Sequence, residues 1–221
     1  MSKIAIMQPF FFPWGGYFQL MNSCDYFIIL DDVDLNSQSW QTRNYFYLNK
    51  NFSKISLPIK NLSNKSIMEA ELDSYEHFKI KLLKTIQQNY AKKFPYTKDL
   101  FNILDKDYTK LIDINMNIIN FFKNILSIKT KLIFSSKLQS AKNVNSNLKT
   151  RKIENILKNF ENPVYIITPG SMSYMDTENF NYLKYKSSGI VYNKIFFNPL
   201  YNFNILDLIA IQGKDKIINN L

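Results

Sequence analysis

Residues 4–44, IAIMQPFFFPWGGYFQLMNSCDYFIILDDVDLNSQSWQTRN, set out the order of elements on which the rest of the chain is built. Ile4-Ala5-Ile6-Met7 is a short apolar run and reads as a buried strand. Pro9, Pro13, Gly15 and Gly16 then punctuate a turn. A short helical pattern follows from Tyr17 to Asn22, and a second apolar run, Tyr26-Phe27-Ile28-Ile29-Leu30, stops at Asp31-Asp32. Strand, Gly-containing turn, helix and strand make a βαβ unit, whose ligands bind at the carboxyl ends of the strands. Gln8 and Asp31-Asp32 occupy those two ends.

The composition narrows the class. A chain of 221 residues with 46% hydrophobic content can bury a core, and no apolar run reaches the roughly 20 residues that span a bilayer. Gln8 and Pro9 interrupt the N-terminal apolar run, so it does not read as a signal peptide, and a cytoplasmic protein is expected. Cys24 is the single cysteine and His77 the single histidine. An internal disulfide and a Cys- or His-rich metal site are thereby excluded. The net charge of +10 suits nucleic acid, an anionic membrane or a phosphorylated substrate. Against this, Lys, Asn and Ile are abundant throughout and Arg occurs only at positions 43 and 151, which favours compositional drift as the main source of the charge.

Beyond residue 44 the pattern predicts a hairpin over residues 45–59, turning near Asn49-Lys50-Asn51. Helical periodicities over about 74–93, 97–104 and 108–126 predict a helical insertion at roughly 74–127. A second strand–helix–strand unit is expected from Lys131-Leu132-Ile133-Phe134, a helix over about 148–160, and Val164-Tyr165-Ile166-Ile167. A short helix at 173–185, strands at 189–192 and 195–197, and a helix at 205–211 capped by Gly213 complete the chain. The whole reads as one α/β domain with an open, mostly parallel, Rossmann-like sheet and a helical insertion.

Several residues suit chemistry. The Gln8 amide has donors and an acceptor for a substrate carbonyl or amine, and Pro9 adjoins it. Gly15 and Gly16, ahead of a helix, could offer backbone N–H groups to a phosphate; of Tyr17 and Gln19, one is expected to face ligand and the other solvent. Of the adjacent carboxylates Asp31 and Asp32, one suits a base and the other a loop cap or a sugar hydroxyl. Trp40, Arg43 and Asn44 fall in a loop, where Arg43 suits bidentate contact with phosphate or carboxylate and Trp40 suits stacking. Ser135, Ser136 and Lys137 end one strand, and Gly170 and Ser171 follow another; such tips suit sugar or phosphate oxygens, and Tyr174 and Asp176 are similar candidates. His77 reads as a surface group of a helix, a weaker catalytic candidate, and Cys24 as a packed apolar residue.

Gln8-Pro9-Phe10-Phe11-Phe12-Pro13, Gly16-Tyr17-Phe18-Gln19-Leu20, Asp31-Asp32, Trp40 and Arg43-Asn44 closely resemble the opening of the WbqC-like family. Asn89-Tyr90, Ser135-Ser136-Lys137, the segment Tyr165, Gly170 and Tyr174-Met175-Asp176, and Ile205-Leu206-Asp207-Leu208 with Gly213 extend the resemblance along the chain. Trp14-Gly15 departs from the family, which more often has an aromatic and an aliphatic residue there. The resemblance implies a role in bacterial surface-polysaccharide synthesis (O-antigen, lipopolysaccharide or capsule), by transfer of glycine onto an amino sugar.

The expected function is therefore an acyl or aminoacyl transferase acting on the amine of a nucleotide-linked amino sugar. Asp31 or Asp32 would assist proton loss, Gln8 or backbone N–H groups would stabilise the oxyanion, and Arg43 and Lys137 would hold phosphate. The activated donor is aminoacyl-tRNA, acyl-CoA or a carrier protein, or glycine with ATP. Mg²⁺ enters only if ATP or the nucleotide-sugar phosphate is engaged. Two alternatives stay open: an ATP-dependent ligase forming an acyl-adenylate, and a non-catalytic sugar- or nucleic-acid-binding module. The first has a weak architectural similarity to adenylate-forming folds, but those carry a His-x-Gly-His turn and this chain has no His there.

Overall fold

The structure is a computed structural model that describes residues 1–36, 38–61, 65–138, 149–167 and 203–221. The chain divides into two compact units. The first takes in Met1–Gln8, Gln19–Asp31 and the described residues from Lys129 to 167; the second takes in Pro9–Phe18, Asp32–Ile128 and the described residues from 203. The expected helix at 173–185 and strands at 189–192 and 195–197 lie outside the described residues.

Among the described residues, the first unit is built on a four-stranded, all-parallel, open sheet. Its strands are β1 (Ser2–Met7), β2 (Tyr26–Ile29), β7 (Lys131–Phe134) and β8 (Pro163–Tyr165), in the spatial order β7-β2-β1-β8. In these parallel strands both faces are covered, which is why they read as unbroken apolar runs. Alternate residues then divide between the faces. Ile4, Ile6, Ile28 and Tyr165 form one buried cluster with Ile153, Ile156 and Leu157 of helix α5 (Lys149–Leu157), and Ile133 packs against it. Ala5, Phe27 and Ile29 point the opposite way and are fully buried too. Thr130 closes the start of β7 by donating its hydroxyl to the carbonyls of Met21 (2.6 Å) and Cys24 (3.0 Å).

The second strand–helix–strand unit expected from the sequence is not a pair of neighbouring strands. β7 flanks β2 and β8 flanks β1, so the two lie at opposite edges of the sheet with β2 and β1 between them. A parallel neighbour is chosen by where the crossover lands, which the local apolar pattern does not record.

In the second unit the predicted hairpin is present as β3 (Arg43–Leu48) and β4 (Asn51–Ser56). Its two-residue turn, Asn49-Lys50, has φ of 50° and 67°, the left-handed pair of a type I′ turn formed here without glycine. Arg43 and Asn44 open β3 rather than lying in a loop, paired with Ser56 and Ile55. A second small ladder joins β5 (Ile59–Lys60) to β6 (Glu71–Leu72). The helical insertion is α2 (Tyr75–Tyr90), α3 (Thr97–Leu104) and α4 (Leu111–Ile125). Its core is aromatic: Phe12 meets Phe46 at 5.1 Å and Phe122 at 6.0 Å, and Phe94 meets Phe122 at 6.0 Å. The chain closes with α6 (Ile205–Gln212) and α7 (Lys214–Ile218). Gly213, with φ of 78°, ends α6 as expected, its N–H donating to the Ile209 carbonyl. Among the described residues no helix is long and apolar enough to cross a membrane.

Candidate functional site

Within the first unit, Met7 of β1 stands opposite Ile29 of β2, and Leu30 N–H donates to the Met7 carbonyl at 2.8 Å. Gln8 and Asp31 therefore leave the sheet from adjacent strands at the same, carboxyl end. Numbered by order within this sheet, the strands run 3-2-1-4, as in one half of a dinucleotide-binding fold. The order reverses between β1 and β8, and in open α/β sheets ligands bind outside the carboxyl ends of the strands at such a point. Gln8, half-buried, follows β1 at that point. β8 leads through buried Ile166 and Ile167 toward Gly170, Ser171, Tyr174 and Asp176, which lie outside the described residues.

Asp31 is only 3% exposed and is fixed to the tip of β7. One carboxylate oxygen accepts the Ser135 hydroxyl and the Ser136 N–H, both at 3.0 Å; the other accepts the Ser136 hydroxyl at 2.7 Å. Its own N–H donates to Ser135 Oγ at 3.3 Å. Three donors on a group with about four lone-pair sites leave little capacity for a substrate proton. Asp31 thus binds the end of β2 to the single 3₁₀ turn at Ser135–Lys137. Lys137 is exposed, with its ammonium 5.3 Å from the centre of the Phe134 ring. It stands two strands away from Gln8, roughly 10 Å at the ordinary strand spacing.

Helix α1 (Gly15–Asn22) begins at the glycines themselves. Gly15 N–H donates to the Phe203 carbonyl at 3.2 Å and Tyr17 N–H to the Trp14 carbonyl at 3.0 Å. Of the two glycine donors expected for a phosphate, that of Gly15 is therefore engaged within the chain. Tyr17 and Gln19 do not divide between ligand and solvent, because α1 is enclosed on nearly every side: they are 0% and 2% exposed. Tyr17 packs against Phe10 and Phe18, and burial raises its hydroxyl well above its ordinary pKa.

Cys24 is buried, and its thiol donates to the Met21 carbonyl at 3.3 Å. Burial, reinforced by the negative charge of Asp25, pushes the thiol up to about 12. A thiol so protonated is no nucleophile at neutral pH. His77 is exposed on α2.

In the second unit, Asp32 is half-buried. Pro9 is buried, and its carbonyl accepts the Asn115 amide at 3.0 Å. Asn44 is 9% exposed, and its amide donates to the carbonyls of Phe11 (3.1 Å) and Phe12 (2.6 Å) while its oxygen accepts Tyr45 N–H (2.7 Å). Phe12 has φ of 47°, a left-handed conformation that a bulky side chain rarely adopts and that surrounding contacts must hold. Asn44 supplies such contacts. Arg43 is half-buried and donates to the Gln38 side-chain oxygen at 3.2 Å. Trp40 is half exposed.

A cleft of about 460 Å³ opens here between Phe10, Trp14, Trp40, Tyr45, Phe52 and Phe203, with Asn44 and Asn204 also on its wall. Asn204 donates to the Tyr45 carbonyl at 2.7 Å and to Asp207 at 2.6 Å, so both wall amides are already bonded within the chain. What the cleft presents is mainly aromatic surface. Behind it, the Asp207 carboxylate accepts Tyr47 N–H at 2.9 Å and the Tyr90 hydroxyl at 2.6 Å. Asn204 and Asp207 together occupy the open hydrogen-bonding edge of β3, which would otherwise be free to pair with another strand.

Asn115, Asn204 and Asp207 were not singled out from the sequence as structural residues. The signal for Asn115 and Asp207 is a polar residue in register with an apolar helical face, as in Ile205-Leu206-Asp207-Leu208-Ile209, and that for Asn204 is an N-cap residue ahead of the helix.

The open parallel sheet with polar strand tips defines a Rossmann-like α/β protein. The chain belongs to the WbqC-like protein family, whose model matches residues 8–219. It is similar to Rv1507c, an uncharacterized protein of Mycobacterium tuberculosis, with 27% identity over 199 residues, 87% of this chain and 84% of that protein. No solved structure matches.

Proposed function

We propose that the protein transfers an acyl group, glycine foremost, to the amine of a nucleotide-linked amino sugar in the cytoplasmic steps of surface-polysaccharide synthesis. What carries this reading is the sheet order, with its reversal between β1 and β8 and Gln8 at the carboxyl end of β1. Such a reversal is where α/β sheets bind nucleotide-linked ligands.

The sugar amine attacks the donor carbonyl directly. A C–N bond forms, the bond from the acyl carbon to its leaving group breaks, and the amine gives up a proton. The buried Cys24 thiol is unsuited to an acyl-thioester stage, which supports direct attack. Asp31 is a positioning residue for the β7 tip, and the proton-accepting role passes to Asp32. Gln8 is assigned to the oxyanion or the amine. The activated donor is aminoacyl-tRNA or acyl-CoA; glycine with ATP serves only if an acyl-adenylate forms first with release of pyrophosphate, and Mg²⁺ enters only where phosphates are engaged.

The test is mass spectrometry of candidate nucleotide-linked amino sugars after incubation with glycyl-tRNA, glycine plus ATP, and acyl-CoA in parallel. A mass gain of one acyl group, lost in Gln8→Ala and Asp32→Asn, supports the proposal and names the donor. Pyrophosphate release with ATP would move the protein to the adenylate-forming ligases. No product from any donor across the sugar panel would overturn the transferase reading.

A further inference from the structure

The two faces of the β3–β4 hairpin differ sharply. Phe46 on one face is fully buried. On the other, cross-strand partners set Arg43 opposite Ser56, Tyr45 opposite Lys54 and Tyr47 opposite Phe52. Directly opposed residues share a face, so this side carries the two cations Arg43 and Lys54 beside the three rings Tyr45, Tyr47 and Phe52. The rings are exposed: Tyr45 by 43%, Tyr47 by 41%, Phe52 by 54% and the neighbouring Trp40 by 50%. They continue into one another. Trp40 meets Tyr45 edge-on at 6.2 Å, Tyr47 meets Phe52 at 5.3 Å, and Phe52 stacks on Phe203 at 5.3 Å with 22° between planes. The aromatic cleft opens along this strip.

The charge is one-sided as well. Between Asp34 and Glu69 the chain has no acidic residue, while Arg43, Lys50, Lys54, Lys60 and Lys65 fall within it. Among the described residues neither Arg43 nor Lys54 is ion-paired. Exposed aromatic surface of this extent marks an interaction site. A dry protein interface depletes lysine, and a symmetric contact between two copies would set these cations against themselves. Exposed rings with cations beside them on one face match instead the needs of unpaired bases on a phosphate backbone.

We propose that this face binds single-stranded nucleic acid, with bases stacked on Trp40, Tyr45, Tyr47 and Phe52 and phosphates on Arg43 and Lys54. Because the wall amides Asn44 and Asn204 are bonded within the chain, base choice is loose: stacking needs a π-face and no particular edge. Binding stands independently of the transferase reading. Under that reading, the strand is the unpaired end of an aminoacyl-tRNA donor.

The experiment is fluorescence anisotropy with a labelled single-stranded RNA of about twelve nucleotides, competed by the same sequence as a duplex, over a salt series. The expected result is saturable binding that the duplex competes poorly. Trp40→Ala and Phe52→Ala, both at exposed positions, each weaken it roughly fivefold or more. Arg43→Gln and Lys54→Gln each lower the slope of log affinity against log salt by about 0.7. Ile80→Ser, at an exposed position of α2, leaves binding unchanged. No saturable binding, equal competition by duplex, or binding indifferent to the two ring variants would each overturn the proposal. So would a concentration-dependent dimer that Trp40→Ala and Phe52→Ala dissociate in the absence of any RNA shift. Because no turnover is measured, failure here leaves the acyl-transfer assay undisturbed, and the reverse holds.

Discussion

The Tyr90 hydroxyl donates to Asp207 across 2.6 Å, joining the last residue of α2 to the first turn of α6 over 117 positions of sequence. The carboxylate is 2% exposed, and burial raises its pKa despite hydrogen bonds from Tyr90, Tyr47 and Asn204 that act to lower it. A carboxyl whose folded pKa exceeds its unfolded value binds protons more tightly in the native state. Its contribution to stability is fully present below the ordinary 3.8 and is lost as pH rises through the raised folded value. Tyr90→Phe is expected to cost about 2 kcal/mol, since a buried carboxyl loses a donor. Asp207→Asn is expected to flatten that part of the pH–stability curve. Urea unfolding across the mildly acidic range checks both.

Asn115 is fully buried, and its amide serves two carbonyls, Pro9 at 3.0 Å and Gln41 at 2.8 Å. Asn115→Ala leaves both carbonyls without that donor and is expected to cost about 3 kcal/mol. Asn115→Asp should be worse at neutral pH, because an ionised carboxylate would face two carbonyl oxygens, and should recover partly in acid. Thermal unfolding of the two variants at neutral and acidic pH distinguishes these outcomes.

Ser135 is fully buried and donates its hydroxyl to Asp31 at 3.0 Å. Ser135→Ala is expected to lower stability by about 1–2 kcal/mol, and Asp31→Ala by more, since three donors lose their acceptor. Asp31→Asn should be milder than Asp31→Ala, because its remaining oxygen can still accept. Chemical denaturation of the series gives the ranking; equal effects of Asn and Ala at position 31 would contradict the clamp.

With the Cys24 thiol held up to about 12 and buried, a thiol reagent at neutral pH is expected to leave the native protein unmodified and to label one site after denaturation. Mass spectrometry before and after denaturant checks this. Rapid native labelling would reopen a nucleophilic role for the residue.

Much of this architecture was legible in the residues. Ile4–Met7, Tyr26–Leu30 and Lys131–Phe134 announce buried parallel strands, because only a strand covered on both faces can be apolar without alternation. The insertion helices and the hairpin turn were legible from periodicity and turn chemistry. The position of β8 across the sheet from β7 was not, because parallel pairing is a long-range choice. Arg43-Asn44 looked like loop because neither residue is apolar; the strand begins there through its pairing with Ser56 and Ile55. At the site, the sequence marked Asp31 and Ser135-Ser136 separately. That they bind each other over 104 positions could come only from the fold.

The division of the chain has a consequence for its history and its assembly. The first unit is interrupted after Gln8 and again after Asp31, and the second is interrupted after Phe18 and after Ile128. Neither can be cut out as one contiguous piece of gene. A ribosome that has released only the first 128 residues has made β1 and β2 but neither of the strands that flank them. The sheet is then two strands with both edges open, an arrangement at best marginally stable. The four-stranded arrangement can close only once β8 has followed β7 out of the ribosome.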